Sequence, residues 1–237
     1  MENAIYTTLT RQSGLMREMQ VVANNIANAA TTGFRQEGVI FSEHVKRIEG
    51  GASLSMASAA VRNTSMMQGT LTQTGGPLDL AIEGDGFFLV QTAQGERLTR
   101  AGHFSASAEG ELVTADGNPV LDTGGAPVFL PPDSTDLAIA PDGTVSSQGV
   151  PIAQIALVQP VDAWNMIRET GVLFRADDGV EPSETGRIAQ GFLEASNVDP
   201  ISQIARMIEV QRAYEMGQNL MEREDERIRT AIKTFVR

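Results

Sequence analysis

The sequence has no cysteine, two histidines (His44 and His103) and one tryptophan in 237 residues. Without thiols there is no disulfide framework, no cysteine nucleophile and no Cys-ligated zinc or iron–sulfur site. Two histidines give little material for a His-rich metal site or a catalytic triad. Positive charge is also scarce: 18 Lys and Arg against 30 Asp and Glu leave a formal net charge of −12. That balance provides no electrostatic footprint for nucleic acid or for anionic lipid. No window approaches the ~18–20 consecutive apolar residues of a membrane helix, so no lipid-inserted segment is expected. The opening residues lack a basic stretch followed by an apolar one, so no cleaved secretory signal is expected.

What the sequence does contain is unevenly distributed. Residues 1–37 carry three acidic and three basic side chains, and residues 199–237 carry seven of each. Residues 38–198 carry 20 acidic and 8 basic side chains, so the whole net charge sits there, with 20 of the 23 glycines and 9 of the 10 prolines. Two neutral, glycine-poor ends therefore flank an acidic, turn-rich centre.

The first end reads as a helix. Asn3 is placed to cap it, and Ile5, Leu9, Gln12, Met16, Met19, Ala23, Ile26 and Ala30 recur at steps of three and four. That spacing is a heptad seam, which calls for a partner helix. Gly33 is the expected stop. The second end starts at Asp199-Pro200, an N-cap followed by proline at the first helical position. Its stripe of Ile201, Ile204, Ile208, Tyr214, Leu220, Met221, Ile228, Ile232 and Phe235 drifts around a helix of ~54 Å at 1.5 Å per residue, with Gly217 its weak point. Between the ends, short apolar runs such as Phe87-Phe88-Leu89-Val90 and Leu137-Ala138-Ile139 alternate with Asp-, Glu- or Gln-Gly turns. The pattern predicts β hairpins in a sandwich or small barrel. The expected fold class is mixed α and β: long, coiled-coil-like terminal helices flanking a central all-β domain. The expected segments are an N-terminal helix over 1–37, a linker or extended segment over 38–76, the β domain over 77–198 and the C-terminal helix over 199–237.

No constellation favours catalysis. Glu83-Gly84-Asp85-Gly86 with Asp79 lacks the oxygen count and spacing of a calcium loop and reads as a strand-initiating turn. Among 30 acidic residues a pair of carboxylates at hydrolase spacing is always available and carries no information. There is no G-x-S-x-G elbow, Walker A loop or H-E-x-x-H helix. His103 reads as a turn or strand residue and Trp164 as a packing anchor. No catalytic, cofactor or metal residue is expected.

The specific signal lies in three ordered blocks. Asn24-Asn25-Ile26-Ala27-Asn28-Ala29-Ala30-Thr31-Thr32-Gly33-Phe34-Arg35 resembles the N-terminal signature of the bacterial flagellar rod and hook proteins. Gly84-Asp85-Gly86-Phe87-Phe88 and Leu98-Thr99-Arg100-Ala101-Gly102-His103-Phe104 resemble its central motifs. Leu193-Glu194-Ala195-Ser196-Asn197-Val198-Asp199-Pro200 and Met207-Ile208-Glu209-Val210-Gln211-Arg212-Ala213-Tyr214-Glu215 resemble its C-terminal signature. Two positions depart from the pattern: His103 replaces a usual Asn, and Leu98 a frequent Tyr. The opening residues, the length and Gly171-Val172-Leu173-Phe174-Arg175 are most like the proximal-rod members.

The resemblance implies a structural subunit of the basal-body rod, which spans the periplasm, and no enzyme activity. It implies partners in copies of the same chain and other rod subunits, and in the flagellar type III export apparatus. The chain would be made in the cytoplasm and exported unfolded. Phe41-Ser42-Glu43-His44-Val45 fits the short export-gate element of such substrates through Phe41 and Val45. The residues expected at subunit contacts are Ile5, Leu9, Met16, Met19, Ile26, Asn24, Asn25 and Asn28 at the first end. At the second they are Ile201, Ile204, Ile208, Tyr214, Leu220, Ile228 and Ile232. The asparagines are expected to make capping or interhelical hydrogen bonds. Neither seam can bury itself on the β domain if both lie beyond it, so both ends are expected to lack a partner in the monomer, to be disordered there and to fold on joining the rod. Three alternatives stay open: a distal-rod or hook subunit of the same family, a module whose two helices pair within the monomer, and a secreted β-rich hydrolase using paired carboxylates.

Overall fold

The computed structural model describes residues 2–46, 54–131 and 136–235, with side chains described at 8–40, 63–131 and 136–234. An N-terminal helix, a β-rich centre and a C-terminal helix follow one another along the chain. The four segments expected from sequence regroup in space into two compact units. One holds residues 1–27, 36–65 and 198–237; the other holds 28–35 and 66–197.

The first unit is built from helix α1 (Glu2–Ala27), the antiparallel strands β1 (Glu37–Lys46) and β2 (Leu54–Thr64), and helix α2 (Pro200–Phe235). Residues 38–76, expected as a linker or extended segment, thus include most of a long two-stranded sheet. A bulge after Ile40 shifts its register, so that Ile40 faces Val61 and Phe41 faces Ala59. Helix α2 is capped as its sequence requires: the Asp199 carboxylate accepts from the Ile201 amide at 3.1 Å. The start and stop of α1 differ from expectation. Asn3 lies inside the helix, and the helix ends at Ala27, six residues before Gly33. The reason for the early stop is Asn25. Its amide nitrogen donates to the Glu37 carbonyl at 2.8 Å, and its oxygen accepts from the Glu37 amide at 3.0 Å. The chain must therefore turn back at once towards β1.

Helix α1 packs on α2 and on the β1–β2 pair. The expectation that neither terminal helix finds a partner in its own chain does not hold. The paired face shares only Gln12 with the fully buried part of the heptad seam and is otherwise an adjacent, more polar one: Gln12, Leu15, Glu18, Val22 and Asn25 are buried, while the seam residues Leu9, Met16 and Ala23 are exposed. Three polar contacts run along this face. Gln12 donates to the Tyr214 carbonyl at 2.8 Å. Glu18 accepts from Arg206 at 2.6 and 2.7 Å. Asn25 donates to Gln203 at 3.1 Å. Gly217 makes the first possible, because a Cβ there would stand 2.2 Å from the Gln12 amide nitrogen. The cost of about 1 kcal/mol for glycine inside a helix is thus set against close approach of the two helices.

The second unit is all-β apart from one short 3-10 turn. Its strands are β3 (Leu71–Gln73), β4 (Leu80–Glu83), β5 (Phe87–Thr92), β6 (Gly95–Thr99), β7 (Phe104–Ala106), β8 (Leu112–Thr114), β9 (Leu137–Ile139), β10 (Thr144–Ser147), β11 (Val150–Gln154), β12 (Leu157–Pro160), β13 (Met166–Arg168), β14 (Leu173–Ala176), β15 (Val180–Pro182), β16 (Arg187–Gln190) and β17 (Phe192–Glu194). A six-stranded antiparallel sheet runs β13-β14-β6-β5-β12-β15, beside the three-stranded sheet β11-β10-β9 and the pairs β16-β4, β17-β3 and β7-β8. Strand β5 is buried on both faces. Phe88 and Val90 enter one apolar cluster, with Leu80, Ile82, Phe104 and Ile188; Phe87 and Leu89 enter the other, with Leu98, Leu121 and Phe174. Period-two alternation sends successive side chains to opposite faces, so the unbroken apolar run Phe87-Phe88-Leu89-Val90 marks a strand with a core on each side.

A buried ion cluster ties this unit together. Glu194 accepts from Arg35 at 2.9 Å and from Arg100 at 3.1 Å, with all three side chains 1–2% exposed. The Glu194 carboxylate also accepts from the Gly69 amide at 2.9 Å. Arg100 donates to the Gly84 carbonyl at 2.7 Å, and Arg35 donates to the Met66 carbonyl at 2.9 Å and to that of Met67. Burial, and secondarily the neighbouring charge of Arg35, push the Arg100 guanidinium down to about 10; it remains charged at neutral pH. Gly33 seats the cluster. It has φ +70°, its amide donates to the Glu194 carbonyl at 2.8 Å, and a Cβ would stand 2.3 Å from the Ala101 amide nitrogen. Arg168 lies 4.3 Å from the Phe34 ring centroid and 4.4 Å from that of Phe174, and donates to the Arg35 carbonyl.

Two outcomes are expected. Glu194→Gln leaves two buried cations without their anion and lowers stability by about 3–5 kcal/mol, whereas Asp177→Asn, on an exposed pair, leaves the curve unchanged; urea unfolding followed by near-UV circular dichroism reads both. Asn25→Ala strips both backbone partners from Glu37 and costs about 1–3 kcal/mol, and hydrogen exchange should show the Glu37 amide losing its protection.

Candidate assembly surface

The outer faces of the two helices carry the apolar surface that the packing of the first unit leaves over. At 100° per residue, Ile201, Ile204 and Ile208 fall on one side of α2, and buried Gln203 and Val210 on the other. The exposures agree: Ile201, Ile204 and Ile208 are 79, 50 and 44% exposed, whereas Gln203 and Val210 are 8 and 2%. The single drifting stripe expected from sequence therefore separates into two faces. Tyr214 and Ile228 are half-buried on the side turned to the rest of the unit, and Leu220 and Ile232 are exposed. On α1, Leu9 and Met16 are exposed, and Met19 and Ile26 are half-buried at the margin of the packed face. Covering a fully exposed isoleucine is worth about 1.5–3 kcal/mol, and Ile204 and Ile208, about half exposed, would gain roughly half of that. Ile201, Ile204 and Ile208 follow the i, i+3, i+7 spacing that a second helix or groove accepts.

The remaining candidates are placed differently. Asn24 is exposed, Asn25 is buried within the first unit with its amide committed there, and Asn28 lies in the turn after α1, accepting from the Thr31 hydroxyl at 3.2 Å. The side chains of Ile5, Phe41 and Val45 lie outside the described residues; the backbone places Phe41 and Val45 on β1 opposite Ala59 and Ser55.

Chemistry of other kinds finds no support in the geometry. Among the described residues no three His, Cys, Asp or Glu gather as metal ligands, and no helix is long and apolar enough to cross a membrane. The Glu83-Gly84-Asp85-Gly86 segment is a turn with Gly84 and Gly86 at positive φ, and the Asp85 carbonyl accepts from the Ser183 hydroxyl at 2.7 Å. His103 lies in an isolated antiparallel bridge with Asp79, its Nδ1 2.7 Å from the Asp79 carboxylate. Trp164 is 81% exposed in the 3-10 turn and anchors no core.

Sequence reasoning missed Arg35, Arg100 and Glu194, the residues on which the β unit turns. The available signal was the placement of each within one of the three signature blocks, among apolar and small neighbours where a solvated charge has little reason to be.

Three sequence-family profiles match the chain. That for flagella basal body rod proteins covers residues 5–35, that for the flagellar hook protein FlgE/F/G D1 domain covers 81–147, and that for the flagellar basal body rod FlgEFG protein C-terminal covers 189–234. Each matched segment supplies one member of the buried cluster: Arg35, Arg100 and Glu194. Over nearly its full length the chain is 41% identical to the flagellar basal-body rod protein FlgF of Caulobacter vibrioides, with 98% of each chain covered. It is 38% identical to FlgF of Mesorhizobium japonicum over 99% of this chain and 98% of that one. With FlgG of Bacillus subtilis it shares 32% identity over 95% of this chain and 96% of that one. Full-length identity of this order, with the buried ion cluster drawn from all three matched segments, means that the chain belongs to the flagellar basal-body rod protein family and is most like its FlgF members.

Proposed function

We propose that this chain is a structural subunit of the proximal rod that joins copies of itself and other rod subunits through α1 and α2. In this reading it is made in the cytoplasm, passes unfolded through the flagellar type III apparatus, and adds to a shaft that crosses the periplasm. The observation that carries it is the outward stripe of Ile201, Ile204 and Ile208, an apolar helix face opposite the one that packs within the chain. Coiled-coil-like contacts then form between subunits through the faces left exposed, Leu9 and Met16 on α1 and the isoleucine stripe on α2. The charge distribution supports the same reading. The helical ends are neutral in sum and pack against one another without net repulsion, while the acidic centre keeps the free chain soluble. Phe41 and Val45 serve as the export-gate element before the chain folds.

Two measurements test the reading. Ile208→Asp introduces a charge on the exposed stripe; the chain should be made, exported and folded at parental levels but fall to background in isolated basal bodies. Normal incorporation would sink the assignment of this face. Phe41→Ala should reduce secretion into the periplasm without lowering the melting temperature of the purified chain; unfolding in place of a secretion defect would make Phe41 a packing residue.

A further inference from the structure

Trp164, the only tryptophan of the chain, is 81% exposed on the β unit, and Val161 and Ile167 on either side of it are 59 and 42% exposed. The backbone beneath the indole is nevertheless held. The Asp162 carboxylate accepts from the Trp164 amide at 2.9 Å, and the Asn165 side-chain amide donates to the Asp178 carboxylate at 2.7 Å. The Val161 amide donates to the Gly179 carbonyl at 3.2 Å, which sets the turn at 177–179 against that at 161–165. Strand β13, which follows, is an outer strand of the six-stranded sheet, with Met166 buried and Ile167 exposed. An apolar side chain on a turn already fixed can meet a partner without the cost of ordering that turn. The charges around it are of one sign once existing pairs are set aside. Arg175 is bound to Glu169 and Asp177, and Arg168 lies over the rings of Phe34 and Phe174. Asp162, Asp178 and Glu181 are exposed and form no ion pair among the described residues. The same sign prevails over the whole unit, where residues 28–35 and 66–197 carry 18 acidic and six basic side chains.

We infer that the Trp164 turn is a docking surface for a basic segment of a different polypeptide, which sets a lysine or arginine on the indole. The face of an indole carries negative potential and attracts a cation, most strongly among the aromatic side chains. Asp162, Asp178 and Glu181 offer further cations of the same segment charge-assisted hydrogen bonds. Val161 and Ile167 supply the apolar margin that excludes water around an aromatic anchor. Charge complementarity selects the occupant. The β unit of a second copy would bring the same acidic excess to the contact, and a neutral saccharide stacked on the indole would leave the three carboxylates without a cation. The surface lies wholly within the β unit and uses neither α1 nor α2, so it is additional to the assembly contacts proposed above and independent of them.

The test places a photoreactive benzophenone amino acid at position 161, in place of Val161, in the full chain expressed from its own locus, so that Trp164 and the three carboxylates stay intact. Cells are irradiated and the crosslinked peptide is mapped by mass spectrometry. The expected product joins this chain to a different polypeptide, at a segment richer in Lys and Arg than in Asp and Glu. Its yield should fall at least about fivefold when Trp164→Ala is added, the loss typical of an anchor residue, and should fall likewise with Asp178→Lys or Glu181→Lys. The melting temperature of the purified Trp164→Ala chain should equal the parent's, since the indole packs into no core. Crosslinks only to another copy of this chain, to a saccharide or to an acidic segment would overturn the inference. So would the absence of any crosslink, or a yield indifferent to Trp164→Ala. Incorporation of Ile208→Asp into basal bodies is read separately: it decides the assembly reading and leaves this one untouched.

Discussion

Among the described residues Glu194 is the only anion paired with two buried guanidinium groups, and the β unit is arranged around that imbalance. Buried charges are tolerable only when their hydrogen-bonding capacity is used. Here the spare donors of Arg35 and Arg100 reach the carbonyls of Met66, Met67 and Gly84, and Glu194 takes the Gly69 amide. Those partners come from two separate stretches of chain, 66–69 and 84, so together with Arg100 the cluster fixes the loops that precede β3, β5 and β7 at one point. Gly33 is required by the same geometry, since the chain carrying Arg35 must pass against the backbone of Ala101.

The helical unit follows the opposite logic. Its inner contacts are largely polar, through Gln12, Glu18, Asn25, Gln203 and Arg206, while isoleucine and methionine face outward. Directed hydrogen bonds set the register of α1 on α2 in a way that apolar packing alone does not. Non-directional apolar surface is left for contacts beyond the unit, where related but unequal neighbours must be accommodated. Met16 and Met216, unbranched and adaptable, suit that outer role.

The sequence made the order of elements legible: two long helical ends of neutral charge and a turn-rich β centre. It made the start of α2 legible through Asp199-Pro200, because an N-cap acts within one turn and needs no distant partner. It misplaced the end of α1, since Asn25 stops the helix by bonding to Glu37 and not through any local breaker. The heptad seam was real as a pattern, yet the chain buries the face beside it; periodicity reports that a face is apolar, not which neighbour covers it. The isoleucines and Tyr214 merged into one stripe for the same reason, and separated only when Gln203 and Val210 proved to be the buried positions. Arg35, Arg100 and Glu194 were visible only as members of motifs, because a long-range ion cluster has no local signature.

The three members of that cluster are spread from residue 35 to residue 194 of a 237-residue chain. Topology of this kind raises contact order and delays closure. A chain emerging from either end holds Arg35 or Glu194 without its counterpart until most of the remaining length has appeared. Until then, closing the β unit would bury unneutralised charge. The two ends of the β unit are therefore coupled by electrostatics: a chain that lacks either Arg35 or Glu194 cannot form the buried cluster.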